Sequence, residues 1–120
     1  MTLQTLVCLS GISLDSCVSE MQLLGARFVC VVSSDQHLIG VLTEGDIIRI
    51  KNKAWDWNPK VDDVCNKNYV FSRHSVTEDE ALSYLKETDI LYLPIVDEDR
   101  CLLEVINLVD LIINSQFFYE

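Results

Sequence analysis

Shifted against itself by 64 residues, the distance from Asp46 to Asp110, this chain of 120 residues matches its own second half without a gap over residues 28–41 and 92–105. Asp15 falls on Asp79, Val32 on Val96, Asp35 on Asp99, Leu38 on Leu102, Val41 on Val105, Asp46 on Asp110 and Ile48 on Ile112. Few identities survive, but the apolar pattern between them is kept. A long period that occurs only twice describes a duplicated supersecondary unit, since a solenoid needs at least about three stacked repeats to bury a core. The expectation is two pseudo-symmetric halves, residues 1–58 with a connector and residues 59–120, packed as one module. The 49% of hydrophobic residues can supply a core for each half.

Periodicity gives both halves the order strand, helix, strand, strand, helix, a mixed α/β (α+β) arrangement. Cys17, Val18, Met21 and Leu24 are spaced as a helical stripe behind Ser13, which offers an N-cap oxygen. In the second half Thr77 followed by Glu80 fits a capping box ahead of Ala81, Leu82 and Leu85. Residues 28–32 and 91–96 are apolar runs of strand length, and each passes through a polar turn into a second run, residues 38–42 and 101–106. First strands are expected at residues 5–9 and 68–72, and last helices at residues 45–50 and 108–114. Asn52, Trp55, Trp57 and Pro59 read as part of a connector.

Composition excludes several functions. The net charge of −10 argues against a nucleic-acid surface, which needs a basic stripe to neutralise phosphates. No apolar run reaches the roughly 20 residues of a membrane span, and the N-terminus lacks the basic start of a secretory signal, so a cytoplasmic location is expected. The five cysteines show no C-x-x-C pair and read as reduced thiols, with neither a disulfide framework nor a zinc site. Asp97, Glu98 and Asp99 lack the spacing and glycine of a calcium loop and read as a hairpin turn. No nucleophile elbow, phosphate-binding glycine loop or histidine-cysteine constellation is present, so a non-enzymatic role is expected.

The chemistry concentrates in Gly40-Val41-Leu42-Thr43-Glu44-Gly45-Asp46. Thr43 stands where a strand ends and a helix begins, so its hydroxyl and the helix-start amides could meet an anion such as phosphate. Asp46 projects from the first helical turn, where a carboxylate can accept bonds from the vicinal hydroxyls of a ribose. The same pair also describes an ordinary N-cap with a first-turn acid, worth about 0.3 to 1 kcal/mol through the helix dipole. Sequence leaves both readings open. Nearby cations are few, Arg27, Arg49 and Lys51, with Arg73 and His74 as further candidates, so a nucleoside or monophosphate is easier to accommodate than ATP.

The strand, Gly, two apolar residues, Thr, two residues, Asp pattern in tandem resembles the cystathionine-β-synthase (CBS) domain, two of which form a Bateman module. The resemblance implies a regulatory module that senses an adenine nucleotide (AMP, ADP or ATP) or a related one, with Asp46 on ribose and Thr43 near phosphate. By the same resemblance Ser10, Gly11, Ile12, Phe28 and Cys30 would line that pocket, and Ser75, Val76, Tyr92, Pro94, Asn107 and Asp110 are their counterparts in the second copy. There Glu104 and Asn107 stand where Gly40 and Thr43 stood, which departs from the pattern. Leu42-Thr43-Glu44-Gly45-Asp46-Ile47-Ile48-Arg49 is similar to the version attached to sugar nucleotidyltransferases and sugar-phosphate isomerases, which implies an attached or partner enzyme of that kind. The alternative is a ligand-free scaffold that mediates dimerisation. A homodimer is expected in either case, with Leu108, Leu111 and Ile112 as candidates for its twofold face.

Overall fold

The computed structural model describes residues 5–118, with side chains described as far as Asn114. The elements are β1 (Thr5–Leu9), α1 (Leu14–Leu24), β2 (Phe28–Val32), β3 (Leu38–Thr43), α2 (Glu44–Lys53), α3 (Val61–Val64), α4 (Glu78–Glu87), β4 (Tyr92–Val96), β5 (Leu102–Asn107) and α5 (Leu108–Phe118). They form two compact units, Met1–Tyr69 and Val70–Glu120.

In the first unit β1 lies parallel to β2, and β2 antiparallel to β3. Residues alternate between the two faces of a strand, so Leu6, Cys8, Val29, Val31 and Leu42 turn one face of the sheet toward Leu14, Cys17 and Met21 of α1. Ser13 caps α1 by accepting from the Ser16 amide, and Gly25 ends it at φ 66°, a left-handed conformation that costs glycine little. The connector belongs physically to this unit. Pro59 accepts from the Leu14 amide at 2.7 Å, Val61 donates to Ile12 at 2.9 Å, and Asn66 exchanges two backbone bonds with Val41. These bonds hold residues 59–66 against the first unit. The short helix α3 within the connector carried no periodic signal.

The second unit repeats the first in backbone detail. Tyr92 pairs with Asn107 as Phe28 pairs with Thr43, and both hairpins carry a bulge at the same step, between Val31 and Val32 and between Ile95 and Val96. Both turns place one residue in the left-handed region, Gln36 at φ 71° and Arg100 at φ 66°, 64 positions apart. Ala81, Leu93, Ile95 and Leu108 form its core.

The strand expected at residues 68–72 does not form. A single parallel bridge joins Ser72 to Ile95, in the register that joins Cys8 to Val31 in the first unit. Ser72 donates to Pro94 at 3.0 Å and accepts from Val96 at 2.8 Å. The next step of a parallel ladder needs an N–H from residue 94, and proline has none. The helix face expected to be left over is also corrected. Leu108 is fully buried and Leu111 and Ile112 pack on the unit's own core, while Val109 and Ile113 face outward.

Candidate functional site

Thr43 ends β3 and caps α2. Its hydroxyl accepts from the Asp46 amide at 3.1 Å, and its own amide donates to Asp46 Oδ2 at 3.0 Å, a complete capping box. The Glu44 amide donates to the Arg27 carbonyl at 3.3 Å. The amides expected to meet an anion are thus partly occupied within the protein. Asp46 is different, because its second oxygen, Oδ1, pairs with Arg49, whose side chain is 69% exposed against 23% for Asp46. Exposed pairs of this kind contribute only about 0 to 1 kcal/mol, so Oδ1 can exchange partners at little cost.

Phe28 stands beside Thr43 in the strand register, and Cys30 follows two residues on along the same face, both fully buried. Burial pushes the Cys30 thiol up to about 12, which keeps it neutral and unreactive at neutral pH. Tyr69 lies over Phe28 with ring centroids 5.4 Å apart. Its phenol is raised first by burial and then by the charges of Cys30 and Asp46. Sequence reading missed Tyr69. Its only signal was an aromatic residue directly after a polar connector.

Ser10, Gly11 and Ile12 lie elsewhere in the unit. β1 runs parallel to β2 with Leu9 opposite Val32, and the Ser10 amide donates to Val32. Thr43 is opposite Phe28, so about four residues of strand, roughly 13 Å, separate the two groups. Asp62 already engages the segment. Its carboxylate accepts from the Ser10 hydroxyl and, at 2.6 Å, from the Gly11 amide, and Gly11 is at φ 94°. These two bonds, the hydroxyl first, hold the Asp62 carboxyl below its ordinary value of 3.8. A carboxylate whose folded value is lowered stabilises fully above its unfolded value and loses that contribution as pH falls through the folded one. Asp62→Asn should therefore cost up to about 1 kcal/mol at pH 7. The difference from wild type should shrink below about pH 4 in denaturant melts run across pH.

A cleft of about 340 Å³ opens between α2 and the connector, lined by Asp46, Arg49, Lys53, Trp57 and Asn66, with Ile50 and Val64 as its apolar part. Lys51 is already committed, donating to Asp15 Oδ1 at 2.8 Å and to the Trp57 carbonyl at 2.9 Å. The second bond fixes the Trp57 backbone at the cleft edge.

The second unit offers less. Asn107 spends its side-chain oxygen on the amides of Val109 and Asp110, each at 3.1 Å, and so caps α5. Asp110 is exposed, Tyr92 and Pro94 are buried in β4, and Ser75 and Val76 precede α4. Gly40 and Glu104 differ for a reason unrelated to ligand. A Cβ on Gly40 would meet Cys65 Sγ at 2.7 Å and the Asn66 carbonyl oxygen at 2.8 Å, whereas Glu104 is exposed. Asp97 accepts from the amides of Asp99 and Cys101 as a turn residue. Among the described residues no group of three or more His, Cys, Asp or Glu is placed to hold a metal ion. None of the described helices is long and apolar enough to cross a membrane.

The CBS domain family matches the chain twice, over residues 1–53 and 61–115. An inosine-5′-monophosphate dehydrogenase of Methanocaldococcus jannaschii is 31% identical over 95 residues, 79% of this chain and 18% of that enzyme. The chain spans about a fifth of the length of the curated relatives it matches. AcuB of Vibrio cholerae superimposes with a TM-score of 0.82 at 20% identity, covering 99% of this chain and 92% of that one. CBSX2 in complex with AMP gives a TM-score of 0.81 at 18% identity over 99% and 91%. Matched over both repeats, with hairpin register, bulge and turn conformation duplicated between them, the chain belongs to the CBS domain family as a tandem pair.

Proposed function

We propose that this CBS pair is a regulatory module that binds an adenine nucleotide through its first repeat and modulates an attached or partner enzyme. The observation that carries the reading is Asp46. Its carboxylate is oriented by the Thr43 amide, and its other oxygen is paired with an exposed arginine, both lining a cleft that also contains Lys53 and Trp57. One oxygen is positioned and the other is exchangeable, as a ribose-binding carboxylate requires. Thr43 acts here chiefly by setting the Asp46 rotamer. AMP in the similar CBSX2 structure supports an adenine nucleotide as ligand. The motif from Leu42 to Arg49 favours a sugar nucleotidyltransferase or sugar-phosphate isomerase as the enzyme. The match to a small part of a dehydrogenase supports a wider range of attached enzymes. Regulation follows if the nucleotide binds two states of the module with different affinity.

Calorimetric titration of the purified chain with AMP, ADP, ATP, CMP and sugar nucleotides tests the reading. Saturable heat with an adenine nucleotide supports it. No heat from a folded, dimeric protein favours the second reading, a dimerisation scaffold without ligand. A specific feature motivates that alternative. An apolar groove of about 510 Å³ runs between α1 and α2, lined in part by Val18, Met21, Ile47 and Ile48.

A further inference from the structure

We infer that the end of α2 and the start of the connector form a docking surface for a short acidic peptide segment of another protein, with Trp55 and Trp57 as its apolar anchors and Lys53 and Lys60 as the cations that meet its carboxylates. The inference does not depend on nucleotide binding.

The stretch from Arg49 to Lys60 is unlike the rest of the chain. It holds both tryptophans and four of the nine cations, Arg49, Lys51, Lys53 and Lys60, against the single acid Asp56. Its net charge is +3, so the remainder of the chain carries −13. Trp55 is 82% exposed and Trp57 48% exposed, although tryptophan has among the largest apolar surfaces to bury. The backbone that carries them is tied down. The Trp57 amide donates to the Ala54 carbonyl at 2.9 Å, and its carbonyl accepts from Lys51 Nζ at 2.9 Å. Next along the chain, Asn58 Oδ1 accepts from the Asp15 amide at 2.9 Å and the Pro59 carbonyl from the Leu14 amide at 2.7 Å. The indoles are therefore presented to solvent from a backbone already fixed to α1 and α2, and little order remains to be lost on binding.

Charge selects the occupant. Tryptophan is enriched among the residues that dominate protein interfaces, and these two fill no core of their own. Arg49 and Lys51 are taken by Asp46 and Asp15. Lys53 and Lys60 are exposed and enter no ion pair among the described residues, which leaves a small positive balance over Asp56. That balance suits one or two carboxylates beside an apolar side chain. A membrane or a nucleic acid is an extended anionic surface and would bring the −13 remainder toward like charge, within the roughly 10 Å over which salt leaves repulsion unscreened. A short peptide meets the patch alone.

Selection of random displayed peptides on the whole chain, counter-selected on Trp55→Ser, tests the surface once that variant is shown to keep its melting temperature. Enriched peptides should carry Asp or Glu beside a large apolar residue. A synthetic consensus peptide should then move the emission of the two tryptophans to shorter wavelength in a saturable titration. Trp55→Ser should weaken that peptide on the order of tenfold or more, the loss typical of a central interface tryptophan. Lys60→Glu should weaken it about fivefold, with the difference shrinking in about 0.5 M salt. Neither residue lines the Asp46 cleft, so nucleotide titrations of the same variants should match wild type. No enrichment over Trp55→Ser, a consensus without acids, or equal binding by both variants overturns the docking surface and leaves the nucleotide reading where it stands. An emission shift with phosphatidylglycerol vesicles and none with peptide also overturns it, and assigns the tryptophans to a membrane surface.

Discussion

Gly40→Val lowers the stability of this protein by about 3 kcal/mol, and the melting temperature falls by about 10 °C. The size of the effect follows from what the side chain would strike. A Cβ at this position comes within 2.7 Å of Cys65 Sγ and 2.8 Å of the Asn66 carbonyl oxygen. The thiol could rotate aside, but the carbonyl cannot, because Asn66 is bonded to Val41 in both directions, at 3.0 and 2.8 Å. Relief requires the connector to lift from β3, with loss of both bonds and of Val61 from the core of the first unit. The control is Glu104→Val, the same position of the second repeat, on an exposed stretch of strand where the change should stay within about 0.5 kcal/mol. Thermal melts of the two variants beside wild type check the prediction. Equal shifts in both would mean that the connector does not pin Gly40.

That glycine also marks what the sequence conveyed and what it withheld. The pairing of Phe28 with Thr43 and Tyr92 with Asn107 was legible because strand alternation and a 64-residue period constrain each other, and a slip of one residue would turn every apolar side chain to the wrong face. The Thr77 and Glu80 capping box was legible because it needs only residues three apart. Gly40 was visible only as a small residue in a motif. Its cause lies in Cys65 and Asn66, distant in sequence, and no local pattern announces where a connector will cross a strand. The missing strand at residues 68–72 was misread for a similar reason, since β-propensity along that run says nothing about the absent N–H of Pro94 across the ladder. Leu108, Leu111 and Ile112 made an apolar set that periodicity could not assign to the inside or the outside of the unit.

The candidate site was legible to a different degree. Thr43 and Asp46 stood out because the strand end and the helix start are both local features. Sequence could not separate capping from ligand binding, and the geometry divides the Asp46 carboxylate between the cap and an exposed arginine. Oδ2 serves the cap and Oδ1 is exchangeable. Tyr69 and Asp62 were not legible as partners of the site segments, because each acts through a neighbour far away in the chain. Asp62 illustrates the difficulty, since an acid in an acidic protein carries no signal until Ser10 and Gly11 are seen to donate to it.

In binding assays Asp46→Ala should abolish measurable nucleotide binding, a loss of about 100-fold or more, while Asp110→Ala leaves it unchanged. Two ribose hydroxyls bonded to a carboxylate contribute about 1.5 to 3 kcal/mol each, less the small cost of releasing Arg49, and a net loss near 3 kcal/mol corresponds to about two orders of magnitude in affinity. Asp110 sits exposed beside a helix start that Asn107 already caps, so its removal takes nothing from the first repeat. Alanine at position 46 also breaks the capping box, so Asp46→Asn is the sharper variant. The asparagine carbonyl oxygen can still accept from the Thr43 amide, which preserves the start of α2 while the charge is removed. Titration with AMP and 2′-deoxy-AMP then isolates the ribose contact. Wild type should prefer AMP by about tenfold, and in Asp46→Asn the preference should largely vanish, because the 2′-hydroxyl no longer meets a carboxylate. A preference that persists in Asp46→Asn, or one that is lost in Asp110→Ala, would move the ribose contact away from Asp46.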